Sequence, residues 1–562
     1  MKNYTHSNLR NVALVGHASS GKTMLGECML ACCGNINRLG SVTEGTTVSD
    51  YHKAEQERQF SIHTSLLHAE WLENRFNIID TPGYLDFITE SRAALKVSDM
   101  AVIVAHATHG IEIGTSKVWD YAEEFGLSKV VVINGMDAEN AQHEPILEEL
   151  ANTFGKRFFP INIPVNPGPG FNEALDVIRK SKLTYKTDGS GEYDESPATG
   201  DDANRLDELH TQLIEFVAES DDSLLEKFFD EGITEEELRG GLHKAFESQN
   251  FIPVFFTSAE TNAGVSRLMD FISKYSSSPD DHPDAVTTDA EENEVTVSLD
   301  DEDPVAFVFK TISEQHLGEL SFVKVLAGTL KSGEEILNAS SGEPQRLGQM
   351  FILNGKNREK VEQLNAGEIG VLVKLKNTHT GNTLTSNKRK VKVAPMEYPN
   401  PNIHEALRPH NKGDEEKVAV GLAALHEEDP SFQYHVDPEL HQTVVSGQGE
   451  LHLQVAMERL KERFNVEIDL SAPKIPFRET IRGNGEAKYR HKKQSGGAGQ
   501  FAEVWMRIQP SQRDSGIDFH ESLVGQNVDR VFVPSVEKGV NSACTDGILA
   551  GYRVVDVDID FY

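Results

Sequence analysis

Three sets of residues in this 562-residue chain have the types and spacing for work on a nucleoside triphosphate, and the first is Gly16-His17-Ala18-Ser19-Ser20-Gly21-Lys22-Thr23. Its glycines let successive backbone N–H groups close around a phosphate chain. Lys22 can neutralise the outer phosphates, and the Thr23 hydroxyl can hold Mg²⁺. The second set is Asp80-Thr81-Pro82-Gly83. Asp80 can hold the same cation through water, and Gly83 can offer its backbone N–H to the terminal phosphate. The third set reads the base. The carboxylate of Asp137, in Asn134-Gly135-Met136-Asp137, accepts from guanine N1–H and the exocyclic amine, donors that adenine lacks in that arrangement. The backbone of Thr257-Ser258-Ala259 can meet the base O6. Together these sets select GTP over ATP. Taken singly, each is also what an ordinary turn after a strand looks like.

Each set follows a short apolar run suited to a strand buried on both faces. The runs are Val12 to Val15, Phe76 to Ile79, Val130 to Ile133 and Ile252 to Phe256. From Lys2 to about Pro279 such strands alternate with helical stretches, the pattern of a parallel sheet covered by helices. A helix starting at the phosphate loop aims its partial positive charge at the same anion. A polar stretch through Gly45 to Asp50, His52 to Arg58 and Ser61 to Ser65 lies between the first two sets, where a hydroxyl can complete a Mg²⁺ shell and sense the terminal phosphate.

The formal net charge is -35, which argues against a general nucleic-acid binder but leaves room for a local basic tip. No apolar run approaches the roughly 18 residues of a membrane span, and the first strand starts too early for a signal peptide, so a soluble cytoplasmic protein is expected. Cys28, Cys32 and Cys33 share one helical stretch and Cys544 stands apart. With no second pair and no suitably placed histidine, they read as small buried apolar residues in a reducing compartment.

The length implies several cores, and the expected fold class is multidomain α/β. Residues 1–279 form a phosphate-loop domain with a subdomain inserted at about 138–250. That insert holds a strand-like Phe158-Phe159-Pro160-Ile161 and an acidic helical tail from Leu206 to Phe229. An acidic, Ser/Pro-rich exposed linker follows at 280–303, then a β-barrel at 304–397 built from short strands between glycines. Residues 398–474 read strand, helix, strand, helix, with helices at Ala419 to His426 and Glu450 to Phe464, and suit a ferredoxin-like α/β sandwich. Glu450 and His452 read as the start of that second helix rather than as an acid and ligand pair. An incomplete fourth domain occupies 475–562. Its run Lys488-Tyr489-Arg490-His491-Lys492-Lys493 before the loop Ser495 to Gln500 suits contact with an RNA backbone, or is a solvated charged strand.

The ordered set GHASSGKT, DTPG, NGMD and TSA resembles the translational GTPases. The segments EEDPSF (427–432), SGQGELHL (446–453), RLKERFNVE (459–467), RETI (478–481), SGGAGQF (495–501) and GILAGYRVVDV (547–557) narrow the resemblance to elongation factor G and its divergent paralogues, over essentially the whole chain. The resemblance implies a P-loop GTPase domain and a fourth domain like a ribosomal protein. It also implies GTP or GDP with Mg²⁺ as cofactors and a monomer that uses the nucleotide state to change conformation on the ribosome in a translocation-like step. The implied partners are ribosomal RNA, stalk proteins at the acidic helical face, and transfer RNA near the fourth-domain tip. The acidic face reads equally as a solvated surface.

Four departures stand out. Tyr84 occupies the place of the family's histidine beside the attacking water, and a phenol supplies no imidazolium near neutral pH, so hydrolysis is expected to be slow or ribosome-dependent. Gly135 removes the lysine stem that covers the guanine face. Ser19 replaces a usual Asp. Ser61 stands where the family's switch Thr would be and keeps its hydroxyl, with Thr64 as the other candidate. The implied site is therefore Gly16 to Thr23, Ser61, Asp80, Gly83, Tyr84, Asn134, Asp137, Ser258 and Ala259. A ribosome-bound regulator or protection factor with little turnover is the rival reading, resting on Tyr84. The last residues, Asp556 to Tyr562, alternate like a strand still in progress, and relative to the family the chain is expected to lack the rest of the fourth domain and a fifth.

Overall fold

The computed structural model describes residues 4–219, 224, 234–282, 284–314, 318–494, 496–497, 499–525 and 528–562. They separate into two compact units. The first comprises Met1–His404, Pro409–Tyr434 and Val445–Ile468, and the second Glu405–Arg408, His435–Val444 and Asp469–Tyr562.

The apolar runs of the N-terminal third pair into one seven-stranded sheet. Its order is Ser65–Trp71, Asn74–Asp80, Leu9–Gly16, Met100–His106, Ser128–Asn134, Ile252–Thr257 and Phe158–Pro160. All neighbours are parallel except the first edge strand. The strands Leu9–Gly16, Asn74–Asp80, Ser128–Asn134 and Ile252–Thr257 are buried along their whole length because helices cover both faces. The phosphate loop, the Asp80 turn and the two base loops thus leave one sheet at the carboxyl ends of its strands, where ligands bind in such folds. The strand-like 158–161 lies within the expected insert, yet it joins this main sheet, parallel to Ile252–Thr257. The insert's own sheet is antiparallel, ordered Tyr193–Pro197, Ser181–Tyr185, Glu173–Asp176, Asn162–Pro164. Its helices are Asp201–Ala218 and Glu235–Glu247. Of the expected acidic tail, the part beyond Glu219 lies outside the described residues, Leu224 excepted.

The stretch 280–303, expected from composition as an exposed linker, instead contains a hairpin, Ala285–Thr288 with Glu294–Val297, and the former also pairs with Lys392–Val393. The reason is its alternation: Val297 packs with Val305, Ala327 and Val391, burial that a count of acidic residues does not reveal. The barrel-like domain that follows is an eight-stranded antiparallel sheet packed on a core that includes Val308, Val323, Leu364 and Leu372.

Buried polar contacts fix this barrel to the nucleotide domain. Asp99 accepts from the Asn11 side chain at 2.6 Å and pairs with Lys324 at 3.0 Å, while the Asn11 amide also donates to the Gly367 carbonyl at 2.9 Å. Arg75 pairs with Glu368 at 2.6 Å, both almost wholly buried. At the barrel's edge the Gly355 N–H donates to the Leu66 carbonyl at 2.9 Å.

The next segment runs strand, helix, strand, strand, helix, strand, the ferredoxin-like order. Its helices are Glu415–Glu428 and Glu450–Phe464. They pack closely at Gly421, where an added Cβ would stand 2.2 Å from Leu460.

In the second unit a four-stranded sheet is ordered Gly485–Lys493, Gln500–Pro510, Val557–Phe561, Ile517–Glu521, and the helix Val533–Asp546 packs Val540 and Cys544 on Val557 and Ile559. The basic strand Gly485–Lys493 is exposed throughout, and the Lys488 ammonium lies over the Trp505 ring at 4.6 Å. Ser495 and Ala498 of the tip loop lie outside the described residues. The Glu479 carboxylate accepts backbone N–H bonds from Ile548, Leu549, Ala550 and Tyr552, joining the RETI and GILAGYRVVDV segments.

Replacing Asp99 by Ala strands the buried Lys324 ammonium. It is expected to cost the first unit about 3–5 kcal/mol in denaturant unfolding. The paired Asp99→Leu, Lys324→Met variant is expected to lose much less.

Candidate nucleotide site

The phosphate loop is shaped by two residues in left-handed conformation, Ser19 (φ 61°) and Gly21 (φ 92°). A Cβ on Gly21 would stand 2.1 Å from the Asn134 amide nitrogen, so only glycine lets the loop lie against the base-loop strand. Lys22, the first residue of the helix Lys22–Cys32, turns its ammonium back into the loop and donates to the carbonyls of Gly16 at 3.1 Å and His17 at 2.7 Å. The His17 ring turns away, accepting from the Gly114 N–H at 3.2 Å. Gly83 approaches from the neighbouring strand end, where an added Cβ would meet the Lys22 ammonium at 2.5 Å and the Ala18 nitrogen at 2.7 Å. Lys22, Thr23, Asp50, Ser61, Gly83 and Tyr84 are among the residues lining a cleft of about 320 Å³.

Thr23 and Ser61 come together, hydroxyl to hydroxyl, at 3.0 Å. Thr64 does not join them. Its N–H donates to Glu90 at 2.8 Å and its side chain is buried there, which separates the two switch hydroxyls that the sequence leaves open. Both carboxylate oxygens of Asp80 and one of Asp50 are buried with no hydrogen-bond partner. Burial, with Asp50 nearby, pushes the Asp80 carboxyl up to about 7. Burial likewise draws Lys22 down to about 8, against the pull of Asp80 and Asp50. Two hydroxyls and two carboxylates, the carboxylates with unmet hydrogen-bond demand, make a set of hard oxygen donors that fits Mg²⁺.

Asp50 and Glu55 carry no motif and were not singled out in the sequence. Glu55 is fully buried and accepts the backbone N–H of Ile62, His63 and His52, which folds the loop carrying Phe60 and Ser61 over the cleft. Burial and the Asp50 charge push its carboxyl up to about 8 despite those donors.

At the base loops Asn134 acts as a brace. Its amide donates to the Ser20 carbonyl at 3.1 Å and accepts from the Ala259 N–H at 2.8 Å and the Thr257 hydroxyl at 3.2 Å. The Ser258 hydroxyl accepts from the Thr261 N–H, closing its own turn. Asp137 stands half-buried at the end of the loop. Gly135 has φ 82°, and an added Cβ would stand 2.5 Å from the His106 ring. His106, which no motif marks, fills the space beside the position where the family carries lysine.

Tyr84 is 37% exposed at the cleft mouth, and its ring packs on Phe60 at 4.6 Å. Two residues on, Asp86 accepts the N–H of Leu451 at 3.1 Å and of His452 at 3.3 Å, at the start of the helix Glu450–Phe464. The same helix carries Glu458, which pairs with Arg58 of the loop over the cleft. His452 is buried and engages Asp429 at 3.0 Å, so it serves packing between helices. The cysteines are free thiols, and Cys28 is wholly buried with its thiol donating to the Ala259 carbonyl.

A parallel sheet with a phosphate loop at its carboxyl edge, an Asp-Thr-Pro-Gly turn beside it and paired base loops defines a P-loop GTP-binding protein. Comparison with known proteins narrows this. Residues 7–278 match the elongation factor Tu GTP binding domain, 303–387 elongation factor G domain 2, 398–472 elongation factor G domain III and 473–562 elongation factor G domain IV. A crystal structure of the protein ttk003000868 from Thermus thermophilus superposes with a TM-score of 0.86 at 32% identity, covering 99% of this chain and 81% of that one. The chain belongs to the elongation factor G family, and it is a GTP-binding translation factor that acts on the ribosome, a GTPase by its first domain. Among the described residues no helix is long and apolar enough to cross a membrane.

Two outcomes follow from this geometry. Because the folded state holds the Glu55 proton more tightly than the unfolded chain, the stability it lends the loop is complete below the ordinary carboxyl range and lost as pH rises through about 8. Amide exchange at Ile62 and His63 in the nucleotide-free chain should accelerate beyond its intrinsic slope from the ordinary carboxyl range up to about pH 8 and return to that slope above it, and Glu55→Gln should remove this extra dependence. Separately, Gly135→Lys alone should weaken binding of a fluorescent guanine nucleotide, and adding His106→Ala should recover it by about tenfold, a change of ~1.4 kcal/mol.

Proposed function

We propose that this chain works in the cytoplasm as a monomeric, Mg²⁺-dependent GTPase switch on the ribosome, with a turnover that Tyr84 keeps low until the ribosome reorganises the site. The observation that carries the reading is the convergence of Lys22, Thr23 and Ser61 on one cleft with Tyr84 at its mouth, with the buried Asp80 carboxyl beside Thr23 and Lys22. Thr23, Ser61 and Asp80, the last through water, would hold Mg²⁺, which neutralises charge on the phosphates when bound. Gly83 offers its N–H to the terminal phosphate, and Lys22 gives up its two carbonyl partners to meet the phosphates. The backbone of Gly16 to Gly21 cradles the phosphate chain, and Asp137 reads the guanine edge with Ser258 and Ala259 framing O6. Tyr84 can orient a water through its hydroxyl, but a phenol cannot hold a proton as a stable cation near neutral pH as an imidazole does. In this reading loss of the terminal phosphate releases the loop bearing Phe60 and Ser61, and through Arg58 and Asp86 the change reaches the helix Glu450–Phe464. The exposed strand Lys488 to Lys493 meets ribosomal RNA and, at its tip, transfer RNA, while the acidic helix Asp201–Ala218 faces stalk proteins.

Single-turnover cleavage of GTP with and without ribosomes tests the role of Tyr84. The wild-type chain should cleave slowly alone and faster with ribosomes, and Tyr84→His should raise the ribosome-dependent rate on the order of 10²-fold or more. An unchanged rate in Tyr84→His overturns the placing of Tyr84 beside the attacking water. A fluorescent GTP analogue should be chased by GTP and not by ATP. Equal chase by ATP overturns the base assignment.

A further inference from the structure

On the inserted subdomain's last helix, Glu235–Glu247, His243 and Glu247 stand one turn apart on one face, and both meet Asp281 of the turn Pro279–Asp281 that closes the nucleotide domain. His243 Nδ1 lies 3.1 Å from the Tyr275 carbonyl oxygen. A carbonyl only accepts, so Nδ1 carries the hydrogen and the neutral ring must present its lone pair at Nε2. That nitrogen faces Asp281 Oδ1 at 3.2 Å and Glu247 Oε2 at 3.7 Å. The other Asp281 oxygen is held by the Ser278 N–H at 2.7 Å and hydroxyl at 2.8 Å, which leaves Oδ1 free for the cluster. Three lone-pair donors from two separate elements therefore point at one place, all within 4.8 Å of one another. Such an arrangement is repulsive unless a metal ion sits among them or the imidazole takes a second proton and donates from Nε2 to Asp281 Oδ1, which lies within hydrogen-bond reach.

We propose that His243, Glu247 and Asp281 form a site for a divalent metal of the Zn²⁺ class, which fastens the inserted subdomain to the nucleotide domain. Donors on a tetrahedron with bonds of about 2.0–2.1 Å stand roughly 3.4 Å apart, close to the two separations found here. One imidazole with two carboxylates suits Zn²⁺ or Mn²⁺ and has no thiolate to select copper(I). The backbone carbonyl behind Nδ1 and the serine behind Oδ2 are the outer hydrogen bonds that orient metal ligands. All three side chains are 21–32% exposed, which leaves an approach for the ion and a position for water. The Arg10 guanidinium attracts Asp281 electrostatically while its N–H groups go to the carbonyls of Ile272, Ser273, Ser7 and Leu9. His6 is engaged with Asp280.

The test is equilibrium dialysis of the chelator-treated full chain against Zn²⁺ at pH 7.5. About one tight equivalent is expected, bound at least tenfold less well by Glu247→Gln and lost in His243→Ala. His520→Ala, in a second His and carboxylate cluster of the second unit, should leave that equivalent intact. The thermal midpoint should rise with Zn²⁺ in the wild-type chain and not in His243→Ala, and Co²⁺ should give the visible absorption of a low-symmetry site. Glu247→Gln keeps the side chain's shape, so a failure of His243→Ala to fold leaves the question answerable. No bound Zn²⁺ in the wild-type chain at about 100 μM, or the same equivalent in Glu247→Gln and His243→Ala, overturns the proposal and assigns the cluster to a protonated imidazole.

Discussion

The helix Glu450–Phe464 begins with Gly449 and has no side chain of its own to cap it; the cap comes from Asp86, some 365 residues earlier, on the loop that bears Tyr84. An Asp-Thr-Pro-Gly turn is rigid up to its glycine, so the position of Asp86 reports the position of the phosphate-facing loop. Gly449 makes the contact possible, since an added Cβ there would stand 2.2 Å from the Asp86 carboxylate. The helix dipole adds to the attraction, because a carboxylate at a helix N-terminus is favourable and the effect fades within one turn. Ile62, Phe87 and Val455 close an apolar cluster beside it. The third-domain helix is thereby seated on both loops that border the cleft, and any shift in either one is felt as a lost cap or a lost apolar contact.

The cleft itself is electrostatically unbalanced. Asp50 and Asp80 crowd around one lysine in a place that water reaches poorly, Glu55 stands beside Asp50, and each of these carboxyls is pushed toward its neutral form by burial first and by a neighbouring carboxylate after it. A site of this kind is arranged for cation and phosphate together. The rigid parts around it, the Asp99 network and the Arg75 pair, lie on the side facing the barrel. The strain is therefore confined to the loops, which can respond.

Much of this was legible in the residues. The phosphate loop, the Asp80 turn and the two base loops are local, with glycine and proline at fixed offsets, and the apolar runs before them announce buried strands. Glu450 to Phe464 was readable to the residue because its boundaries are marked by glycine before and asparagine after. What escaped was non-local or masked by composition. The hairpin inside 280–303 hides its alternation under acidic residues. The strand Phe158–Pro160 was legible as a strand, but its place in the main sheet was not, because its partner is nearly a hundred positions away. Asp50, His106 and Asp86 have no motif because their neighbours in the site lie in other loops, and Glu55 has none because it braces only the backbone of its own loop. Asn134 was read as a base-contacting residue by resemblance, whereas in the fold its amide ties the phosphate loop to the loop at Ala259.

The four N–H bonds that Glu479 accepts from Ile548 to Tyr552 span about 70 positions of sequence. A chain emerging from its own ribosome at roughly 5–20 residues per second leaves this carboxylate without partners for about 4–14 seconds. In the later half of that interval the antiparallel ribbon Gly485–Lys493 and Gln500–Pro510 is complete, but Val557–Phe561, the strand that joins it to Ile517–Glu521, has not been made. The nascent second unit thus waits with one edge open and aromatic residues such as Trp505 uncovered. Its vulnerability to misassociation is set by the speed of synthesis rather than by the stability of the finished fold.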